Sequence, residues 1–240
     1  MKKIFLLYNY CVFRLKSGNE HSVHSPFVFD LLTKVIYDRV DYYSFEKIEN
    51  LRRTLLKSKK TIVKNNMKLF EYGQLLFRLV NYFQPTQIIE LGTSVGINSA
   101  YMASVSSKNH VIAIESNSEI AEISKNNFEK LELKNIEQIV GDIDSVLPTI
   151  LAKCEFLEFV CFTGNASKND TLNRFNKCLE KINGTSIFIF DNMYCSSEMK
   201  EAWNEIKNHD RVRVTVDLFF MGIIFFREEQ VKQHFVIRYR

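Results

Sequence analysis

From residue 87 onward the chain alternates between short apolar runs and helical patterns, and this alternation restricts the fold more than any other feature. Apolar runs of strand length occupy residues 87–91, 110–115, 135–140, 156–162 and 185–190. Helical patterns fill the intervals at about 96–106, 117–131, 143–152 and 169–182, and one more follows at 197–208. Such alternation is typical of a parallel sheet covered by helices on both faces, so we expect an α/β three-layer sandwich.

The last two apolar runs behave differently from the earlier ones. Residues 212–218 and 221–226 are separated by only a short turn. Two strands that close together pair antiparallel, because a parallel crossover needs a dozen or more residues. We therefore predict seven strands in a mostly parallel sheet, with the last strand antiparallel.

The first 85 residues are expected to be mainly helical. Ser25-Pro26 is a candidate helix start, and further helices are predicted at about 44–56 and 70–83. The basic stretch from Lys57 to Lys68 is expected to be a solvated linker or loop. The predicted organisation is an N-terminal helical segment, residues 1–69, followed by a ligand-binding domain, residues 70–240.

Composition limits the partners and the compartment. The chain has 240 residues, 32 basic and 28 acidic, and a net charge of +4, which is too small and dispersed to indicate nucleic acid. Five cysteines without a C-x-x-C pair predict free thiols and a cytoplasmic protein. No run of about 18 apolar residues occurs, so no membrane span is expected. The apolar N-terminus predicts a short amphipathic helix that docks on the protein or forms a homodimer contact.

The turn after the first apolar run fits three ligand-binding templates. Residues 92–96 read Gly-Thr-Ser-Val-Gly. The match to the dinucleotide fingerprint G-x-G-x-x-G is poor, because Ser94 replaces the glycine that admits a pyrophosphate. The match to G-x-S-x-G would make Ser94 the nucleophile of an α/β serine hydrolase, but helices rather than strands precede it. The third template, E-x-G-x-x-x-G, uses Glu90, Gly92 and Gly96.

The next two strand ends favour the third template. Glu115 ends the second apolar run, and Gly141-Asp142 ends the third. A carboxylate at position 115 can accept both hydroxyls of a ribose. Ligands bind at the carboxyl ends of strands in open α/β sheets, so these three segments predict a nucleoside site.

On these residues the chain resembles the class I S-adenosylmethionine-dependent methyltransferases, and within them the catechol and caffeoyl-CoA type of O-methyltransferase. The resemblance covers roughly residues 70–227, and Tyr72-Gly73-Gln74 is similar to a cofactor-capping helix of that family. The segment from His21 to Phe29 resembles the start of a bacterial subgroup of methyltransferases. The resemblance implies S-adenosyl-L-methionine as cofactor, with these candidate contacts: Glu90, Gly92, Thr93, Ser94, Gly96, Glu115, Ser116, Gly141, Asp142, Ile143 and Thr163.

The resemblance also implies roles for each part of that set. Gly92, Thr93, Ser94 and Gly96 would line the methionine end, Glu115 would hold the ribose, and residues 141–143 would border the adenine. Glu90 would orient the turn or contact the methionine amine.

The chain departs from the family pattern at its metal site. Thr163 stands where the family has an aspartate, and Ala166 stands where it has a basic residue. Asp191 and Asn192 keep the second part of the pattern, but without the first carboxylate they would bind Mg²⁺ weakly. Asp191 is the candidate catalytic residue, and Lys168, Asp170, His21 and His24 are other candidate proton acceptors.

These departures leave two principal functions open. One is methyl transfer to an oxygen of a small molecule. The other is a non-catalytic cofactor binder that acts as a sensor or partner protein. The serine hydrolase with Ser94 as nucleophile is a remote third.

Overall fold

The computed structural model describes residues 2–57, 70–164 and 166–239, so most of the predicted basic linker lies outside the described residues. The chain separates into two compact units. The first unit comprises residues 38–146, and the second comprises residues 1–37 together with 147–240. The predicted division at residue 69 stays a prediction.

In its described residues, the first unit has two helices followed by an alternation of strands and helices. The helices are α3 (Tyr43–Lys57), α4 (Phe70–Phe83), α5 (Ile97–Ala103) and α6 (Ser118–Lys130), and the strands are β1 (Gln87–Leu91), β2 (His110–Glu115) and β3 (Ile136–Val140). The strands lie in the order β3-β2-β1, and both pairings are parallel. Strands β1 and β2 are almost entirely buried, which explains their continuous apolar runs.

The second unit begins with the N-terminal helices. They are α1 (Lys2–Lys16), a 3₁₀ helix (Glu20–Ser22), α2 (Pro26–Leu31) and a π-helical turn (Leu32–Ile36). The side chain of Ser25 accepts a hydrogen bond from the N–H of Val28, and Pro26 occupies the first turn, as the sequence predicts.

The rest of the second unit continues the alternation. Its helices are α7 (Ile143–Lys153), α8 (Lys168–Leu179) and α9 (Ser197–Asn208), and its strands are β4 (Phe159–Phe162), β5 (Ile187–Asp191), β6 (Val214–Asp217), β7 (Met221–Phe225) and β8 (Gln233–Val236). These strands lie in the order β4-β5-β7-β6-β8, and β7 is antiparallel to both neighbours. The antiparallel seventh strand is therefore confirmed.

The prediction of seven strands is wrong by one. Strand β8 pairs parallel with β6, so the chain contains eight strands in its described part. The segment is short, and all four of its residues are half-exposed or exposed, whereas every residue of β5 and β7 is buried. Its apolar signal was therefore too weak to identify from sequence.

Candidate functional site

The register of the first unit brings three predicted ligand segments to one edge. Leu91 pairs with Ile114, and Glu115 pairs with Val140. The residues that directly follow the three strands are Gly92, Ser116 and Gly141, so they also lie at this edge. Two of the candidate contacts there, Ser116 and Asp142, are exposed.

The glycine turn, residues 92–96, has an unusual backbone. Gly92, Ser94 and Gly96 have φ values of 102°, 56° and 82°. The N–H groups of Gly92 and Thr93 donate to the Ile114 carbonyl at 2.9 and 3.0 Å, and the Thr93 hydroxyl donates to the same oxygen at 3.2 Å. Thr93, Val95 and Gly96 are buried, whereas Gly92 and Ser94 are half-exposed. A ligand would therefore meet the turn at Gly92 and Ser94.

Helix α6 packs against the glycine turn. The side-chain amide of Asn127, which is 1% exposed, donates to the Val95 carbonyl at 2.8 Å. A Cβ at Gly96 would lie 2.5 Å from the Phe128 ring and 2.9 Å from Cβ of Ser124. The sequence reasoning missed Asn127. A polar residue on the apolar face of a predicted helix was the signal that could have identified it.

Glu115 closes the turn from the side of β2. Its carboxylate accepts hydrogen bonds from the N–H of Ser94 at 2.7 Å and from the N–H of Asn117 at 3.0 Å. Glu115 is only 9% exposed. A carboxylate has about four acceptor positions, so two hydrogen bonds leave room for about two more donors.

Glu90 is fully buried at the end of β1. The hydroxyl of Ser99, on α5, donates to its carboxylate. This bond ties the strand before the glycine turn to the helix after it. This geometry favours a role for Glu90 in orienting the turn over a contact with the methionine amine.

The third segment starts α7. The carboxylate of Asp142 accepts hydrogen bonds from the N–H and the hydroxyl of Ser145, at 3.0 and 2.9 Å. The N–H of Gly141 donates to the Glu115 carbonyl at 3.0 Å, and Ile143 is buried. Asp142 thus caps a helix while it remains exposed at the sheet edge.

Helix α4 packs closely on α5 near the same turn. A Cβ at Gly73 would lie 2.2 Å from the Tyr101 ring, so a side chain at position 73 would separate the two helices. The Tyr101 hydroxyl is buried and has no hydrogen-bond partner among the described residues. Burial, with a smaller contribution from Glu49, raises the pKa of Tyr101 to about 12.

The second unit holds the other candidate residues. Asp191, which is 4% exposed, ends β5, and Thr163, which is 5% exposed, directly follows β4. Strands β4 and β5 are neighbours. Asn192 has a φ of 55°, and its carbonyl accepts the N–H of Cys195 at 3.0 Å. We call residues 191–195 the β5-end segment.

The other candidate proton acceptors have surface positions or surface roles. His21 and His24 are exposed. Asp170 forms a capping box with Ser167 at the start of α8. Lys168 is paired with Glu205 and Glu201 at 2.6 and 3.2 Å, and hydrogen bonds to these carboxylates raise its pKa, which makes it a poor base. Asp191 is the buried member of the set.

The donor atoms of Thr163 and of the β5-end segment do not fit a divalent metal well. Asp191 supplies one carboxylate, while Asn192 and Thr163 supply neutral oxygens, and Mg²⁺ favours anionic oxygen ligands. In residues 2–57, 70–164 and 166–239, no group of three or more His, Cys, Asp or Glu side chains could hold a metal ion.

A buried carboxylate that the sequence reasoning missed lies close to the β5-end segment. Asp217 ends β6 and accepts hydrogen bonds from the Tyr194 hydroxyl at 2.5 Å, from the Trp203 indole N–H at 3.1 Å and from the Phe219 N–H at 2.9 Å. Phe219 has a φ of 74°, and its ring stacks on Tyr194 with the centroids 4.9 Å apart. Burial and the charge of Asp217 raise the pKa of Tyr194.

The geometry around Ser94 does not support a hydrolase nucleophile. His110, the histidine of the first unit, is the first residue of β2 and pairs in register with Gln87, at the opposite end of β1 from the glycine turn. The backbone N–H of Ser94 is bonded to Glu115. Within the described part of this unit, Ser94 therefore lacks the adjacent imidazole that would activate it.

Comparisons with known proteins cover most of the chain. A family model described as O-methyltransferase matches residues 39–223. The SAH-bound methyltransferase PaMTH1 from Podospora anserina is 12% identical, with a TM-score of 0.66 over 86% of this chain and 98% of that one. The O-methyltransferase from Bacillus cereus in complex with SAH is 17% identical, with a TM-score of 0.60 over 89% and 99% of the two chains.

A third solved structure also matches. The O-methyltransferase TomG from Streptomyces achromogenes, involved in tomaymycin synthesis and in complex with SAM, is 16% identical. Its TM-score is 0.60 over 83% of this chain and 94% of that one. A search of curated proteins gave no match. At these identities, the likeness to the solved structures shows a shared fold.

Proposed function

Because the chain belongs to the O-methyltransferase family, we propose that it transfers a methyl group from S-adenosyl-L-methionine to an oxygen atom of a small molecule. Its fold is the α/β Rossmann-like methyltransferase fold predicted from the sequence, with eight strands in place of seven. It is an S-adenosylmethionine-dependent methyltransferase, as predicted. No finding favours the non-catalytic binder or the serine hydrolase.

The observation that carries the cofactor assignment is the hydrogen bonding of Glu115. This carboxylate lies beside the glycine turn and uses about half of its acceptor capacity for the N–H groups of Ser94 and Asn117. The two hydroxyls of a ribose match the remaining capacity in number and in kind. PaMTH1 and the Bacillus cereus enzyme hold SAH and TomG holds SAM, which supports a cofactor that contains this ribose.

The other cofactor contacts follow from the same edge of β1 to β3. Gly92 and Ser94 form the accessible side of the glycine turn and would receive the methionine end. Thr93 and Gly96 would act by shaping the turn, because both are buried. Ser116, Gly141, Asp142 and Ile143 would border the nucleoside. Glu90 would fix the turn through Ser99, and the cofactor contact of Thr163 stays a prediction.

The chain itself must handle the proton of the methyl acceptor. The bound cofactor supplies an electrophilic methyl group on a sulfonium sulfur, so the protein has to orient a nucleophile and remove its proton. Asp191 is the proposed proton acceptor, because it is the buried carboxylate among the candidates. Asp191 and Asn192 alone are a weak donor set for Mg²⁺, so the proposed proton transfer uses no metal ion.

Binding and transfer can be tested separately. Calorimetry with S-adenosylmethionine should show binding to the unaltered protein, and no heat at millimolar cofactor would refute the cofactor assignment. Incubation with methyl-labelled cofactor and a panel of phenols and catechols should then give labelled product without added Mg²⁺. Asp191→Asn should lower kcat by about a hundredfold with an unchanged cofactor Kd. Asp210→Asn, at an exposed position after α9, is the matched control.

A second comparison addresses the non-catalytic alternative. Thr163→Asp restores the carboxylate that the family has at this position. If the unaltered protein binds cofactor but transfers nothing, while Thr163→Asp gains activity with Mg²⁺, the unaltered chain is a binder rather than an enzyme. Equal metal-independent turnover by both proteins would support the proposal that Asp191 accepts the proton without a metal ion.

Three further assignments belong to this proposal. The five cysteines are free thiols, which supports a cytoplasmic protein, in keeping with the bacterial subgroup that its N-terminal segment resembles. The homodimer and the division into segments 1–69 and 70–240 stay predictions. No helix in the described part of the chain is long and apolar enough to cross a membrane.

A further inference from the structure

Helix α1 docks on the second unit through one of its faces. Asn9 and Phe13 are buried, at 2% and 5% exposure. The side-chain oxygen of Asn9 accepts a hydrogen bond from the Lys200 ammonium at 2.6 Å. The rings of Tyr10 and Phe13 lie 5.1 and 5.3 Å from that of Phe219. These contacts fix which face of the helix points away from the protein.

The opposite face of α1 is apolar and exposed. We call it the outer stripe, and it comprises Ile4, Leu7, Tyr8, Cys11 and Leu15. Ile4, Leu7, Tyr8 and Leu15 are 73%, 63%, 64% and 88% exposed. The spacing of positions 4, 8, 11 and 15 is that of one helix face. Single exposed apolar side chains are common, but a continuous row of large ones marks an interaction surface.

The charges around the outer stripe have one sign. Helix α1 contains Lys2, Lys3, Arg14 and Lys16 and no acidic residue. Lys3 and Arg14 are exposed, and they lie near the two ends of the stripe.

This charge distribution argues against a second copy of α1 as the occupant. A parallel pair would place Lys3 beside Lys3, and an antiparallel pair would place it beside Arg14 or Lys16. Either arrangement brings cations together without an acidic partner. An anionic surface that accepts an apolar row between basic ends satisfies both features.

We propose that α1 binds the surface of an anionic lipid membrane, with the outer stripe at the boundary of headgroups and acyl chains. Leu and Ile side chains would enter the apolar layer, tyrosines would lie at the headgroup level, and the basic ends would meet lipid phosphates. The helix would lie in the plane of the surface. This surface function is independent of the methyl transfer proposed above.

Flotation of the full-length protein with lipid vesicles tests the proposal. Vesicles of phosphatidylcholine mixed with phosphatidylglycerol should carry the protein, and those of phosphatidylcholine alone should carry much less. Added salt should weaken the binding because it screens the charges. The double variant Leu7→Ser, Leu15→Ser should lower the partition coefficient at least about tenfold. Lys3→Gln with Arg14→Gln should lower it about tenfold or more on anionic vesicles.

Val231→Ser is the matched control, because Val231 is 70% exposed on the same unit but outside α1. It should leave the partition coefficient unchanged. Cofactor calorimetry and thermal unfolding of every variant separate a lost membrane contact from a misfolded chain. Absence of vesicle binding, or equal binding to neutral vesicles at all salt concentrations, would overturn the proposal. So would a dimer, seen by light scattering, that the Leu7→Ser, Leu15→Ser variant converts to monomer.

Discussion

Glu115 and Asp217 are buried carboxylates at the ends of two strands, and they use their acceptor capacity differently. Glu115, at the end of β2, accepts only backbone N–H groups among the described residues, those of Ser94 and Asn117. Asp217, at the end of β6, accepts one backbone N–H and two side-chain donors, from Tyr194 and Trp203. Asp217 therefore crosslinks three parts of the second unit, whereas Glu115 shapes one turn and retains capacity for a ligand.

The difference shows that burial of an acid does not by itself identify a binding residue. The cost of burying a charge has to be offset by hydrogen bonds. Donors that come from the surrounding side chains indicate a structural role. Donors from the backbone, together with unused acceptor positions on the carboxylate, indicate a site that a ligand completes.

Asp217→Ala should lower the free energy of unfolding by about 4 kcal/mol, because it leaves the half-buried hydroxyl of Tyr194 and the buried indole N–H of Trp203 without their acceptor. Urea unfolding measures this loss. Asp210→Ala, at an exposed position after α9, should change stability by less than about 0.5 kcal/mol. A loss below about 1 kcal/mol for Asp217→Ala would mean that the three hydrogen bonds do not hold the unit together.

Gly96→Ala should lower the free energy of unfolding by about 3 kcal/mol. Its φ of 82° disfavours a side chain, and the new Cβ would meet the Phe128 ring at 2.5 Å. Gly184→Ala is the control, since a Cβ there meets nothing within 4 Å. Equal stability of the two variants would show that the glycine turn adapts, and that α6 does not hold it rigidly for a ligand.

Glu115→Gln should separate binding from stability. The amide oxygen keeps one backbone hydrogen bond, so the free energy of unfolding should fall by no more than about 1 kcal/mol. Cofactor affinity should fall about thirtyfold, equivalent to about 2 kcal/mol, because charge-assisted hydrogen bonds to the ribose are lost. Calorimetry measures the Kd, with Glu119→Gln in the first turn of α6 as control. A variant with normal affinity would remove Glu115 from the site.

Tyr194 and Tyr101 should respond in opposite directions to loss of the hydroxyl. Tyr194→Phe should destabilise the protein by about 2 kcal/mol, because Asp217 loses a donor. Tyr101→Phe should stabilise it by about 1 kcal/mol at neutral pH, because the Tyr101 hydroxyl is buried without a partner among the described residues. Urea unfolding of both variants makes the comparison, and destabilisation by Tyr101→Phe would reveal a hydrogen bond to that hydroxyl.

The same tyrosine predicts a pH dependence. The folded protein holds the proton of Tyr101 more tightly than the unfolded chain does, since its pKa is raised to about 12. Its contribution to stability is therefore complete below the unfolded pKa of about 10 and is lost as the pH rises toward about 12. Tyr101→Phe should make the decline of stability between these two pH values less steep.

The sequence carried enough information to predict the strands and helices that position the turn. Their signals are local: apolar runs between helical patterns, and glycines at strand ends. The hydrogen bonds of Asp217 could not be predicted in that way, because they join residues 23, 14 and 2 positions away that share no motif. Asn127, which is 32 positions from its partner Val95, escaped for the same reason. Strand β8 escaped because an edge strand has only a weak apolar pattern.

Phe219 illustrates a conflict between backbone and side chain. A φ of 74° favours glycine, yet only an aromatic ring can stack on Tyr194 and receive Tyr10 and Phe13 of α1. A sequence-design procedure that weighed only the backbone would place glycine here. That choice would relieve the strained turn but detach the N-terminal helix from it. Few residues at this position should therefore be able both to avoid backbone strain and to keep the N-terminal helix attached.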